Sequence, residues 1–385
     1  MFHHFIPRIN YKLDATDYLT LFSSYFRKAP DLSALNNLLG TRDFLFFDHA
    51  RTGLRFILEN KLEPNSRVGI QPLSCPTVME AIYLANCKPV FVDIDTNFAI
   101  SPETLLEKIE NIDALILTHT FGVPAQVEKI KELLNGKLLI EDCAHSFLTT
   151  TKMNNLTGSI GDYSLFSFGF GKFPNAIRGG FVKVNKNDPD LIIKYQQVIK
   201  KSTIKFEITN LLRTLVLTIL NSPTIYGLIT HKIKKNKKLK SYQLPKVTPI
   251  DVYVPHANLF VFASHLKNIK ESLTTQISNG NNLLATMFEI KNIQISPLVK
   301  SGNYFMLPIL VANPDNIIKT CEKFGIEIGK HFVKSRFIID KYGYVEGTCP
   351  TYENIIKKLV TLPCHYNYPK LQLLKLQQIM KEYKF

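Results

Sequence analysis

The stretch SRVGIQPLSCPTVMEAIYLANCKPVFVDIDTNFAISPETLLEKIENIDALILTHTFGVPAQVEKIKELLNGKLLIEDCAHS, residues 66–146, decides the fold. Short apolar runs at Arg67–Ile70, Pro89–Asp93, Ala114–Leu117 and Lys137–Glu141 alternate with amphipathic segments at Thr77–Asn86, Pro102–Ile109 and Ala125–Leu134. Two further runs, Tyr163–Phe168 and Gly180–Val184, follow. Strand-length runs separated by helix-length segments predict an α/β domain with a mostly parallel sheet. In such a sheet, ligands meet the loops at the carboxyl ends of the strands. Those loops are Pro72–Pro76, Asp93–Asp95, His119–Gly122 and Asp142–Ser146.

Outward from this core the pattern changes twice. Beyond Val254, a helix-like stretch (Leu259–Leu273), an apolar run (Tyr304–Val311) and a final helix (Lys370–Lys384) suggest a smaller α+β domain. The expected organisation is a large α/β domain over 1–190, a basic and apolar helical insertion over 191–250, and a small C-terminal α+β domain over 251–385. The insertion holds most of the charge. The 385 residues carry 47 Lys+Arg against 32 Asp+Glu, a net +15, and residues 191–240 alone hold eleven basic residues and one acid. A diffuse nucleic-acid surface is a poor reading of so local a surplus, and no aromatic residues interleave with the lysines. With 45% hydrophobic residues, disorder and a small disulfide scaffold are excluded. Six scattered cysteines form no C-x-x-C pair, so no metal site is expected and a reducing compartment is. The opening MFHHFIPRINYKLDATDY breaks its apolar content with His, Pro, Arg and Asp, so no leader is expected and the protein is expected in the cytoplasm.

Three features of the large domain belong together. LLIEDCAHS ends a strand on Asp142; SLFSFGFGKFPNAIRGGFVKV sets Ser167 five residues before Lys172, with glycines at 179 and 180; HARTGLRFIL places residues 50–53 at a helix start, where free N–H groups hold anions. Pyridoxal 5′-phosphate requires a lysine for a Schiff base, a carboxylate to keep its pyridine nitrogen protonated, and donors for its phosphate. Lys172, Asp142 and the group Ser167, Arg51 and Thr52 can fill those roles. Taken singly, each has a plainer reading: a lysine in a glycine-rich loop is usually a solvated surface residue, and an aspartate after a strand usually caps a helix.

The surrounding text resembles the DegT/DnrJ/StrS family, fold-type-I pyridoxal-phosphate aminotransferases that make amino sugars. AIYLANCKPVFVDIDTNFAISPETL, LTHTFGVPAQVEKI, EDCAHS, SLFSFGFGK followed by RGGFV, and GTCPTYENIIKKLVTLPCH are similar to the family's motifs in order, over about residues 45–185 and 250–385. The resemblance implies that Lys172 forms the Schiff base and later carries the proton, and that Asp142 pairs with the pyridine nitrogen. It places His145 against the phenolic oxygen, and Ser167, Arg51 and Thr52 on the phosphate. Asn258 would correspond to an asparagine lent to the neighbouring subunit of a homodimer. The implied reaction moves an amino group from glutamate to a keto group of a nucleotide-linked keto-deoxy sugar, for polysaccharide or glycan synthesis.

The chain also departs from the family. No aromatic residue lies between Leu73 and Thr77 to stack on the cofactor, so Ser74 or Cys75 would face it. Arg178 replaces a glutamate, and Phe260 replaces the arginine of N-x-R. Arg178 and Arg51 would suit an extra anionic group, or be structural. His119 and His365 are expected to bond backbone in turns. The apolar stretch Ile208–Ile229, followed by HKIKKNKKLK, is a poor transmembrane helix. It reads as a helical pair packed on the catalytic domain, or as a peripheral anchor over 208–240 at the inner face of a membrane. Two rival functions stand beside sugar amination: a pyridoxal-phosphate enzyme for a lipid-linked or membrane-presented ketone, and a catalytically silent partner-binding homologue. The resemblance argues against the second, because family members that abandon transamination tend to lose the lysine.

Overall fold

A computed structural model describes residues 5–9, 13–41, 43–200, 202–236, 242–333 and 335–383. Seven strands form the main sheet: β1 (Phe44–Phe47), β2 (Arg67–Ile70), β3 (Lys88–Phe91), β4 (Ala114–Thr118), β5 (Leu138–Asp142), β6 (Tyr163–Ser167) and β7 (Gly180–Val184). Their spatial order is β1-β7-β6-β5-β4-β2-β3. Only β7 runs against its neighbours, so the α/β, mostly parallel sheet read from the sequence is the observed one. β4 and β7 are buried at every position, as a sheet covered on both faces requires. The edge strand β1, preceded by the helices Ala15–Ser24 and Ser33–Leu39, is a strand the alternating pattern did not reveal.

Register sets where the chemistry falls. Thr118 of β4 lies opposite Asp142 of β5, and Ser167 of β6 lies opposite Gly180 of β7, so all four sit at one edge of the sheet. The Ala50–Lys61 helix covers β1 and β7 and begins at this edge. Gly53 allows the close packing: a Cβ there would stand 2.8 Å from Val182 Cγ2 and 2.9 Å from the Phe47 ring. Its apolar residues Leu54, Phe56, Ile57 and Leu58 are buried.

The C-terminal part folds around an antiparallel pair, Leu307–Leu310 with Leu359–Leu362, flanked by helices Ile269–Phe288, Pro314–Lys323, Pro350–Lys358 and Lys370–Glu382. One continuous core joins it to the sheet, including Ile70, Ile116, Leu307, Ile309 and Leu359. Asp93, just past β3, fastens the two regions. Its carboxylate accepts from the Thr351 and Tyr352 N–H groups at 2.8 and 2.9 Å, satisfying the first turn of the Pro350–Lys358 helix.

In the basic segment the helix Ile204–Asn221 is capped by Thr203, and Ser222–Pro223 then break the chain direction. Its amphipathicity is reversed. Glu207, Asn210, Thr214 and Asn221 are buried, whereas Ile204, Ile208, Leu212, Val216 and Ile219 are exposed. Among the described residues no single helix is long and apolar enough to cross a membrane; Ile204–Asn221 and Pro223–Ile233 reach that length and composition only as a pair bent by 68°. Lys237, Lys238 and Lys240 of the expected lysine cluster lie outside the described residues.

Candidate active site

Between β6 and β7 the chain makes a loop that presents Lys172. Backbone bonds tie it at several points: Ala176 N–H to Phe168 O at 2.7 Å, Phe170 N–H to Ile177 O at 2.8 Å, and Lys172 N–H to Gly169 O at 3.0 Å. Asn258 fastens it from outside by donating to Ala176 O at 2.6 Å. Lys172 Nζ comes to rest 5.5 Å from the centre of the Phe305 ring. A cavity of about 290 Å³ opens there, lined by Lys172, Asp142, His145, Ser167, Arg51 and Cys75, with Thr118, Phe332 and Arg213 completing its wall.

Charge in this cavity follows from burial. Asp142 is buried, which pushes its pKa up; the Ala144 N–H at 3.0 Å and the charge of Lys172 oppose that rise without reversing it. Among the described residues no cation is in contact with its carboxylate. Lys172 moves down, because burial outweighs the pull of Cys75 and Asp142, so its amine loses a proton more readily than an ordinary lysine. His145 falls well below the usual histidine range through burial and the nearby Lys172 and His331, and is neutral at pH 7. Its Nδ1 accepts from the Phe121 N–H at 3.3 Å, which leaves the proton on Nε2. The ring stacks on Phe305 at 4.2 Å.

Five of the seven residues singled out in the sequence thus border one cavity: Lys172, Asp142, His145, Ser167 and Arg51. Thr52 does not. Its hydroxyl donates to Asp48 Oδ1 at 2.8 Å, one turn back, because Asp48 gathers Thr52, His49 and Arg178 around one carboxylate. Arg178 is spent in the same way: it pairs with Asp48 at 2.8 Å and lies 4.6 Å over the Phe206 ring, so it is structural and not an anion subsite. Asn258 is wholly buried between Ala176 O and the Asn210 amide, inside its own chain. Of the pair proposed to replace a stacking aromatic, Cys75 lines the cavity and Ser74 is buried away from it.

His119 and His365 bond backbone in turns, accepting from Ala125 N–H and Asn367 N–H. His119, Glu141 and Cys143 bring their ligand atoms within 4.8 Å of one another, but Glu141 already accepts from His119 and from the N–H groups of Gly158, Ile160 and Gly161. This carboxylate buttresses the turn before β6. The cavity residues not foreseen include Thr118, Phe332 and Arg213. Thr118 was legible as the last residue of its strand; the other two arrive through long-range packing and leave no local signal.

The sequence model of the DegT/DnrJ/EryC1/StrS aminotransferase family matches residues 34–206. That stretch of the chain is therefore similar to the DegT/DnrJ/EryC1/StrS aminotransferases. It contains every strand of the main sheet and both Asp142 and Lys172. Among curated relatives, the chain is 28% identical over 158 residues to the spore coat polysaccharide biosynthesis protein SpsC of Bacillus subtilis, covering 39% of this chain and 40% of that protein. It is 30% identical over 120 residues to the UDP-N-acetyl-3-dehydro-α-D-glucosamine 3-aminotransferase of Acidithiobacillus ferrooxidans, covering 28% and 30%. These matches therefore span less than half of either relative. The likeness of fold extends further. Helicobacter pylori PseC, an aminotransferase involved in the biosynthesis of pseudoaminic acid, superposes with a TM-score of 0.74 at 17% identity over 98% of both chains. The fold is that of the fold-type-I pyridoxal-phosphate transferases.

Proposed function

We propose that the chain is a pyridoxal-phosphate-dependent aminotransferase that takes an amino group from glutamate and delivers it to a keto group of a nucleotide-linked keto-deoxy sugar, working as a homodimer in the cytoplasm. The observation that carries this reading is the buried Asp142 carboxylate, without a cation in contact among the described residues, facing the cavity that Lys172 also lines. A buried, unpaired carboxylate is costly, and a protonated ring nitrogen held against it removes that cost. The residues present fit the cofactor: Asp142 would hold the ring nitrogen, Lys172 the carbonyl carbon, and Ser167, Arg51 and the first turn of the Ala50–Lys61 helix the phosphate.

When bound, pyridoxal phosphate supplies an electron sink for the bonds at the carbon bearing the amino group. Lys172 Nζ does the remaining work. Burial favours its uncharged amine, which would hold the cofactor's carbonyl carbon and, with the amino donor in the site, would accept the proton from the donor's α-carbon. Neutral His145, with its proton on Nε2, offers a donor to an oxygen of the cofactor ring. The names of the relatives support the substrate class, since one acts on a UDP-linked sugar and another belongs to polysaccharide biosynthesis.

The test is amino transfer from glutamate to a UDP-linked keto sugar, followed by 2-oxoglutarate release and by the mass of the sugar product. The reading expects one 2-oxoglutarate per aminated sugar. Turnover of glutamate with no sugar of any nucleotide accepted would limit the chain to the amino-donor half and remove the substrate proposed.

A second reading concerns place, and the reversed helix favours it. Ile204, Ile208, Leu212, Val216 and Ile219 face outward, and the sequence continues into a lysine-rich stretch after His231, a combination suited to the surface of an anionic bilayer. Sedimentation with anionic and neutral liposomes tests this. Binding to the anionic vesicles should drop when Ile208 and Leu212 are replaced by Asp; equal recovery of both proteins in the supernatant would eliminate membrane contact.

A further inference from the structure

One wall of the cavity comes from outside the residues that the family model matches. The matched residues end at 206, and Arg213, seven residues beyond, lines the cavity together with Ala50, Arg51 and Ser167. Its helix is pinned at three points. Phe206 lies under the Arg178 guanidinium, which is itself paired with Asp48 just before the Ala50–Lys61 helix. Glu207 accepts from the His256 N–H at 3.1 Å. Asn210 donates to Asn258, which holds Ala176 O in the lysine loop. Arg213 follows Asn210 by three residues and Phe206 by seven, so all three share one helix face. That face is turned to the loop and to the helix start, the same border that Ser167 and Ala50 occupy; a Cβ on Gly180, opposite Ser167, would come within 2.6 Å of Ala50 N.

Among the described residues neither Arg213 nor Arg51 pairs with a carboxylate. Two exposed guanidinium groups without counter-ions, a hydroxyl and the first turn of a twelve-residue helix therefore border one open cavity. Guanidinium forks and helix N-termini both select phosphate-type oxygens, and here they converge on the same cavity as the Ser167 hydroxyl.

We propose that Arg213 is a phosphate ligand, brought to the cavity by the insertion helix to bind a phosphoryl group of a bound molecule. This rests on the reading that the cavity takes pyridoxal phosphate. The same chemistry has two sources, the phosphate monoester of the cofactor and the diphosphate of a sugar nucleotide. It gives the insertion a function inside the active site and makes affinity depend on that helix being seated.

The test compares wild type, Arg213→Ala, Arg213→Lys and, as a control on the same exposed helix, Lys205→Ala. Equilibrium binding is measured for pyridoxal phosphate, for pyridoxal, which keeps the ring and carbonyl but lacks the phosphate, and for UDP; thermal melting checks folding. Loss of a charge-assisted bond should weaken phosphate-bearing ligands about tenfold or more in Arg213→Ala. Pyridoxal affinity should stay unchanged, Arg213→Lys should recover part of the loss, and Lys205→Ala should match wild type. Weakening confined to pyridoxal phosphate assigns the arginine to the cofactor, and weakening confined to UDP assigns it to the nucleotide; both support the proposal. Unchanged binding of both ligands, or equal weakening of pyridoxal, overturns it. Wild-type protein that binds neither pyridoxal phosphate nor pyridoxal overturns the cofactor reading first and this proposal with it.

Discussion

Asp48 shows how a single carboxylate can decide which neighbours remain for function. It accepts from Thr52, His49 and Arg178, and although burial works against its charge, those bonds hold its pKa at about 2. A folded-state pKa below the unfolded one means stability that is fully present above the unfolded value and is lost as pH falls through the folded one. A depression of nearly two units corresponds to about 2 kcal/mol at neutral pH. Asp48→Asn should therefore lower denaturant stability at pH 7 by about that much, with the gap to wild type closing as pH is taken from about 4 toward 2. An equal gap at pH 3 and pH 7 would show that the charge is not what matters. Residue by residue, legibility followed locality. Lys172 and Asp142 stand in short motifs whose chemistry can be read directly. The contacts of Thr52 and Arg178 with Asp48 could not be read from the sequence, because no motif surrounds Asp48 and it lies 130 residues before Arg178.

The elements were readable where one period governs them. β2 and β7 fall on the residues expected from their apolar runs, and the three helices between the first strands agree to within a few residues. The Ile204–Asn221 helix defeated the same reasoning, because counting apolar residues does not say which face turns inward. Here Glu207, Asn210, Thr214 and Asn221 are buried, and Ile204, Ile208, Leu212, Val216 and Ile219 are exposed. Close contact between elements is also invisible to periodicity, and Gly180 is the clearest case. A Cβ there would stand 2.6 Å from Ala50 N, 2.8 Å from Ala50 Cα and 2.7 Å from Phe166 O, all backbone. Gly180→Ala should push the start of the Ala50–Lys61 helix off the sheet edge, with a loss of about 1–3 kcal/mol in stability. Cofactor affinity should fall with it. Thermal melting and pyridoxal phosphate titration of the variant would check both, and normal affinity in a destabilised variant would separate the helix start from the phosphate site.

Across the whole molecule, the site is assembled from regions that no single stretch of sequence displays together. The sheet edge supplies Thr118, Asp142 and Ser167, the β6–β7 loop Lys172, the insertion Arg213, and the C-terminal part Phe305 and Phe332. The continuous core and the Asp93 anchor hold the C-terminal part against the sheet, so the cavity wall is as rigid as the packing behind it. This explains why Lys172 and Asp142 were legible and the rest of the wall was not: they stand in short motifs, whereas Arg213, Phe305 and Phe332 reach the wall through contacts between distant parts of the chain. The central claim is that Lys172 and Asp142 act on one cofactor in this cavity. The most direct measurement is the visible absorption of purified protein titrated with pyridoxal phosphate, for wild type and for Lys172→Ala, before and after addition of glutamate. The account predicts a visible band in wild type that glutamate bleaches and that Lys172→Ala never forms. A wild-type protein that takes up no cofactor, or a Lys172→Ala variant with the same glutamate-sensitive band, would contradict it.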